Sequence, residues 1–151
     1  MVKQQLKNMK GKKVVIAEGI TKIDFGCFMN SDAKEVVFPS TLKEIGWRAF
    51  YGCENIKNIT LPKGLESIGA ECFMNTVVKK AVIPGSVKKI QCGVFSKCRG
   101  KPTIVLGEGI EELEEECFCE SEIRDIKIPK SVKKIQMYAF DHCDELESVT
   151  L

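Results

Sequence analysis

Cysteine is the first residue type in this chain that could do chemistry, because eight are present in 151 residues. Thiolates bind soft metals, and two cysteines separated by one residue, Cys117 and Cys119, have a ligand-like spacing; His142 and Cys143 follow one repeat later. One such pair is a weak signal, since structural zinc sites use two pairs at set spacings, and a metal site is not expected. His142 is the only histidine, no Ser-His-Asp set can be assembled, and no glycine-rich phosphate loop is present. The acidic run Glu111-Glu112 with Glu114-Glu115-Glu116 is read as a solvated face that lies between Lys88-Lys89 and Lys133-Lys134. No catalytic residue and no cofactor are expected, so an enzyme is not.

The cysteines also fail as a disulfide framework, and the reason is their spacing. Cys27, Cys72 and Cys117 lie 45 residues apart, as do Cys53, Cys98 and Cys143. Ala49, Val94 and Ala139 fill the first slot in the intervening units, and Ser31, Thr76 and Ser121 fill the second. If units stack at the ~4.8 Å strand spacing, cysteines of one column stand ~9–10 Å apart. A disulfide needs Cα atoms within ~7 Å. Reduced, mostly buried thiols acting as small hydrophobes are the expected state.

The periodicity behind that argument runs through the whole chain. Phe28, Phe50, Phe73, Phe95, Phe118 and Phe140 are separated by 22, 23, 22, 23 and 22 residues. Ile23, Ile45, Ile68, Ile90, Leu113 and Ile135 keep the same intervals, and so do Ile20, Leu42, Leu65, Val87, Ile110 and Val132. A fourth apolar column begins at Ile16 and continues through Phe38, Leu61, Ile83, Leu106 and Ile128 to Leu151. The alternation of 22 and 23, with cysteine in every second unit, points to a pair of repeats tripled by duplication.

Each unit opens on two apolar residues flanking a third, as in Val14-x-Ile16 or Val36-x-Phe38, which reads as a very short strand with one face inward. Pro39, Pro62, Pro84 and Pro129 then close it, because proline cannot donate to a ladder. The following stretch, S-V-K-K-I in its commonest form, fits an extended or turned segment whose apolar residues point into the coil. The next piece drives a phenylalanine to the centre, and a polar corner returns the chain. No unit can bury its apolar side alone, so the fold expected is a β-rich, right-handed, all-parallel coil stack of about six and a half repeats, residues 14–151. Residues 1–13, with Val2, Leu6 and Met9 on one side of a short helix, are expected to cap it, or to form a basic arm.

Units such as FPSTLKEIGWRAFYGC (38–53) and IPKSVKKIQMYAFDHC (128–143) resemble the BspA-like, or Treponema-type, leucine-rich repeats. The resemblance covers Val14 to Leu151 and implies a solenoid with a binding or adhesive role rather than catalysis. It implies a cell-surface setting as well. The N-terminus has no apolar signal region, so the chain as written is read as cytoplasmic unless a leader precedes it.

Composition narrows the partner. A net charge of +2 gives no reason to expect a nucleic acid, and the aromatics are mostly phenylalanines at inward positions. No apolar run approaches the ~18 residues of a membrane span, so membrane insertion is not expected. A protein partner is. The residues between the two inward strand positions, Val15, Val37, Thr60, Val82, Val105 and Lys127, must point outward. Four of these six are valine. Two readings stand: β-propensity on a half-covered sheet, or an apolar strip rimmed by Lys57, Lys79, Lys80, Arg124 and Lys127 that receives a protein. The sequence stops in the strand of a seventh unit, which raises a second mode, self-association or a homodimer through Val149 and Leu151.

Overall fold

The computed structural model describes residues 13–151, and they form a parallel β-solenoid. The expected cap lies outside the described residues, except that Lys13 is part of the first strand.

Each of six coils contributes two strands, and a seventh contributes one. The longer set consists of β1 (Lys13–Val15), β3 (Glu35–Val37), β5 (Asn58–Thr60), β7 (Lys80–Ile83), β9 (Thr103–Leu106), β11 (Asp125–Lys127) and β13 (Ser148–Thr150). The K-K-I segment forms a second set of two-residue strands: β2 (Lys22–Ile23), β4 (Glu44–Ile45), β6 (Ser67–Ile68), β8 (Lys89–Ile90), β10 (Glu112–Leu113) and β12 (Lys134–Ile135). All pairings are parallel and join successive coils, with like positions in register, as in Ile45 with Ile68. No helix is present among the described residues.

The ladders are not continuous. In the longer set the hydrogen-bonded groups are β1-β3, β5-β7-β9 and β11-β13. In the shorter set they are β2-β4-β6 and β8-β10-β12. The interruptions are staggered. Where β3 and β5 are unpaired, β4 pairs β6; where β6 and β8 are unpaired, β5 pairs β7; where β9 and β11 are unpaired, β10 pairs β12. Every junction between coils therefore keeps at least one strand ladder.

A third ladder runs through the turn that carries each phenylalanine, from the first coil to the sixth. Phe28 N donates to Ala49 O at 2.8 Å, Phe50 N to Cys72 O at 3.0 Å, Phe73 N to Val94 O at 3.0 Å, Phe95 N to Cys117 O at 2.8 Å and Phe118 N to Ala139 O at 2.9 Å. The residues two before and two after each phenylalanine adopt positive φ, for example Gly26 (57°) and Asn30 (56°) around Phe28. Left-handed residues on both sides turn the backbone tightly around the ring. Glycine and asparagine suit those positions, but Arg48, Glu71, Lys97, Glu116, Glu120, Tyr138 and His142 also occupy them. Each such side chain costs roughly 1 kcal/mol or somewhat more.

The rings so directed form one pile. Successive centroids from Phe28 to Phe140 are separated by 4.9, 5.5, 5.6, 5.7 and 5.2 Å, with ring planes within 15° of parallel. Phe50, Phe73, Phe95 and Phe118 are fully buried, as are Leu42, Leu65, Val87 and Ile110 beside them. Burial of such side chains, at ~1.5–3 kcal/mol each, is what offsets the strained turns. A further column, Ala33, Ile56, Val78 and Ile123, closes the core at the corner preceding the longer strands, with Pro102 in the fourth coil.

Candidate interaction face

The alternation of the longer strands places the six sequence-predicted outward residues on one face. Strands β1, β3, β5, β9 and β11 read exposed, buried, exposed from their first residue, as in Glu35, Val36 and Val37; β7 differs in its half-buried third residue, Val82, and β13 is exposed throughout. Val15 is 67% exposed, Val105 42% and Val37 37%; Thr60 and Lys127 are exposed and Val82 is half-buried. The residues two positions earlier in each strand, Lys13, Glu35, Asn58, Lys80, Thr103 and Asp125, share the face. Lys13 and Glu35 pair at 3.0 Å across the first junction.

Strand pairing divides the face into three hydrogen-bonded groups. Val15 registers with Val37, Thr60 with Val82, Val82 with Val105, and Lys127 with Thr150. Between β9 and β11, where no ladder forms, a groove of about 360 Å³ opens. Val105, Lys127 and Thr150 border it, and Ile104 and Ile126 line it. An apolar side chain of a partner would meet core residues there without displacing a strand hydrogen bond. Val149, registered with Ile126, is 45% exposed, and Leu151 is 83% exposed.

Sequence reasoning missed a second exposed apolar group. Phe25 stacks on Trp47 with centroids 5.0 Å apart, and both rings are nearly half exposed. Arg48 lies over Trp47 at 4.7 Å and over Tyr51 at 5.4 Å, while its guanidinium meets the Glu71 carboxylate at 2.8 Å. Phe25 and Trp47 share one repeat position, three before the core phenylalanine, and that coincidence was the available signal. Close approach of the backbones accompanies the stack. A Cβ placed on Gly69 would lie 2.4 Å from Trp47 N, and one on Gly46 2.8 Å from Phe25 N.

The chemical candidates resolve into structural roles. Cys53, Cys98 and Cys143 each direct Sγ to the carbonyl of the phenylalanine 25 residues earlier, Phe28, Phe73 and Phe118, at 3.0, 3.3 and 3.0 Å. Thr76 Oγ1 sits 3.3 Å from Cys98 Sγ and donates to Phe73 O at 2.8 Å. Burial pushes the Cys72 and Cys117 thiols well above their ordinary range, and that of Cys98 up to about 11 despite the Thr76 hydroxyl. Such thiols are inert. Cys119 is buried, and no group of three His, Cys, Asp or Glu residues suited to a metal occurs among the described residues. His142 is 72% exposed at its corner, 3.6 Å from Asp141.

Of the five acidic residues in the run, two enter a charge ladder. Glu112 meets Lys89 at 2.8 Å and Lys134 at 3.1 Å, and accepts from Gln136 Nε2 at 2.6 Å. Those donors hold its carboxyl down to about 2. Glu111 meets Lys133 at 2.9 Å. Glu115 and Glu116 lie past the strand, exposed, and their charges with that of Glu71 help to raise the exposed Cys92 thiol, after its partial burial.

The pattern describing BspA type leucine rich repeat regions matches residues 4–84 and 21–147 in six copies. Among solved structures the chain is similar to a leucine-rich repeat protein from Bacteroides ovatus, at 28% identity and a TM-score of 0.69, covering 92% of this chain and 33% of that one. It is similar to the T. pallidum leucine rich repeat protein, at 26% identity and TM-score 0.59, covering 93% and 59%. A leucine rich cell surface protein from Faecalibacterium prausnitzii shares the fold, at 24% identity and TM-score 0.64, covering 93% and 47%. This chain thus spans between a third and three-fifths of the length of those proteins. No curated protein matches it. No helix among the described residues is long and apolar enough to cross a membrane.

Proposed function

The chain belongs to the BspA type leucine-rich repeat family, and from that premise we propose that it is a non-catalytic scaffold that binds another protein through the outward face of its longer strands. Repeats of this family are consistent with protein-interaction or surface scaffolds. The observation that carries the reading for this chain is the exposed row from Val15 and Val37 to Val105, ending beside the groove between β9 and β11. Exposed apolar area of this kind on strands held in place by stacked coils is surface that a partner can desolvate at little conformational cost.

The test is affinity capture from lysate of the source cell, comparing the natural chain with Val82→Asp and Val105→Asp. The reading requires a protein retained by the natural chain and lost from both variants while their circular dichroism is unchanged. Equal retention by all three removes this face as the binding surface.

A further inference from the structure

We propose that the segment received by this face is an acidic polypeptide with apolar residues at its centre, an inference that rests on the scaffold reading above. One charge rule recurs along the solenoid, with Lys63, Lys88 and Lys130, which lie outside the longer strands, in no ion pair among the described residues. A cation on one coil is met by an acid on the next: Lys22 by Glu44 at 2.9 Å, Lys43 by Glu66 at 3.1 Å, Lys89 by Glu112 at 2.8 Å, Lys97 by Glu120 at 3.4 Å. Opposite charges on facing positions of paired strands stabilise the register, and like charges oppose it.

The rule fails at the corner that feeds the strand face. Lys34, Lys57 and Lys79 occupy one column, immediately before β3, β5 and immediately before Lys80 of β7. Lys79 N donates to Lys57 O at 2.7 Å, so the last two are direct neighbours. Lys34, Lys79 and Lys80 form no ion pair among the described residues, and Lys57 Nζ reaches only the carbonyl of Glu54, at 2.9 Å. Lys80 stands on the same face as Val82, two residues away. The acids nearest are engaged or peripheral: Glu35 pairs with Lys13, Asp125 accepts from Ser148 Oγ, and Asp32 lies at the corner before Lys34. Between them Asn58 and Thr103 are neutral. Stacked like charges beside an exposed apolar row are a cost to the chain alone, and a partner that brings carboxylates removes it.

Nucleic acid would satisfy the charge but not the centre of the site. The strand face carries valine and threonine, and it has no aromatic ring on which a base could stack. From Lys34 to Lys127 the face crosses four coil junctions, roughly 19 Å at the usual strand spacing, which an extended segment of about six residues spans.

The experiment is selection of displayed random peptides, about 12 residues long to exceed that span, on the full chain and on the Lys79→Glu/Lys80→Glu and Val82→Asp variants, with a uridine oligonucleotide as competitor. The expected result is enrichment of Asp and Glu flanking apolar residues. A selected peptide should lose about tenfold or more in affinity against either variant, and the double variant should select basic peptides instead. Enrichment without acidic residues, or loss of peptide to the oligonucleotide, overturns the acidic partner while leaving the face in place. No selection at all, or peptides indifferent to Val82→Asp, overturns both this inference and the scaffold reading. The thermal melt of the double variant should match that of the natural chain, because Lys79 and Lys80 are exposed; Val82 is half-buried, so Val82→Asp is compared at a temperature below its own melt.

Discussion

Cys98 Sγ and the carbonyl oxygen of Phe73 lie 3.3 Å apart, on adjacent coils and both out of reach of solvent. The thiol donates to a carbonyl that also accepts from the Thr76 hydroxyl. Packing and polar satisfaction meet in one atom. Cys98→Ala should therefore cost roughly 1–3 kcal/mol, from the lost donor and the small cavity. Cys98→Ser should recover part of that, because its hydroxyl can reach the same carbonyl. Urea denaturation midpoints measure both, and equal losses would show that the sulfur only fills space.

Acid and alkali should act on different groups. Glu112 has its carboxyl depressed to about 2, so the stability it contributes is present above the ordinary glutamate range and is lost as pH falls toward 2. Glu111 shifts in the same direction through Lys133. The buried thiols of Cys72, Cys98 and Cys117 are raised, so the unfolded chain ionises first and stability declines as pH climbs above about 9. Denaturant melts at pH 3, 6 and 10 should show a maximum at the middle value. Glu112→Gln should flatten the acid limb and leave the alkaline limb alone.

Gly69→Ala introduces a methyl 2.4 Å from Trp47 N, a backbone atom that cannot swing aside. The coils must separate locally, at a cost of about 1–3 kcal/mol. Its melting temperature should fall, and Trp47 fluorescence should change because the Phe25 stack sits at the same junction. An unchanged emission spectrum would place the strain elsewhere.

Tyr138 is a bulky residue at φ 59° and is 59% exposed, so little packing is lost on removing its side chain. Tyr138→Gly should raise stability by about 0.5–1 kcal/mol, the relieved left-handed strain less the added entropy of the unfolded chain. Differential scanning calorimetry decides the sign. A lower transition temperature would show that the ring contributes more than its exposure suggests.

A thiol reagent under native conditions should modify Cys92 ahead of Cys53, Cys72, Cys98 and Cys117, since Cys92 is exposed and those four are buried. Its rate should still fall below that of a small-molecule thiol at pH 7, because partial burial and the neighbouring carboxylates of Glu116 and Glu71 raise its pKa. Counting modified thiols by mass spectrometry over time gives the order.

The apolar columns and the phenylalanine pile were legible because a fixed period of 22 and 23 survives every change of residue type. Burial on one face leaves that kind of trace. The left-handed flanks of each phenylalanine were not legible, because Arg48, Glu71 and Tyr138 hold a conformation whose usual marks are glycine and asparagine. The two-residue strands such as Lys22–Ile23 are too short to show alternation. The ladder breaks beside β3 and β9, and the groove one of them opens, depend on distances between coils that no single coil encodes. On the candidate face the outward direction of Val37 and Val105 followed from the pleat. The unpaired column of Lys34, Lys57 and Lys79 emerged only once the coils were stacked and the partners of Lys22, Lys43, Lys89 and Lys97 were in place.

Cysteine and its hydroxyl or small apolar counterpart alternate out of phase in two columns: Cys27, Ala49, Cys72, Val94, Cys117, Ala139 in one, and Ser31, Cys53, Thr76, Cys98, Ser121, Cys143 in the other. That arrangement gives the solenoid a parity. Excising or inserting an odd number of coils would seat two sulfurs on consecutive layers, ~4.8 Å apart and inside the range at which they can be oxidised together. An array of this type can change length safely only two layers at a time, and its resistance to cross-linking is a property of the count.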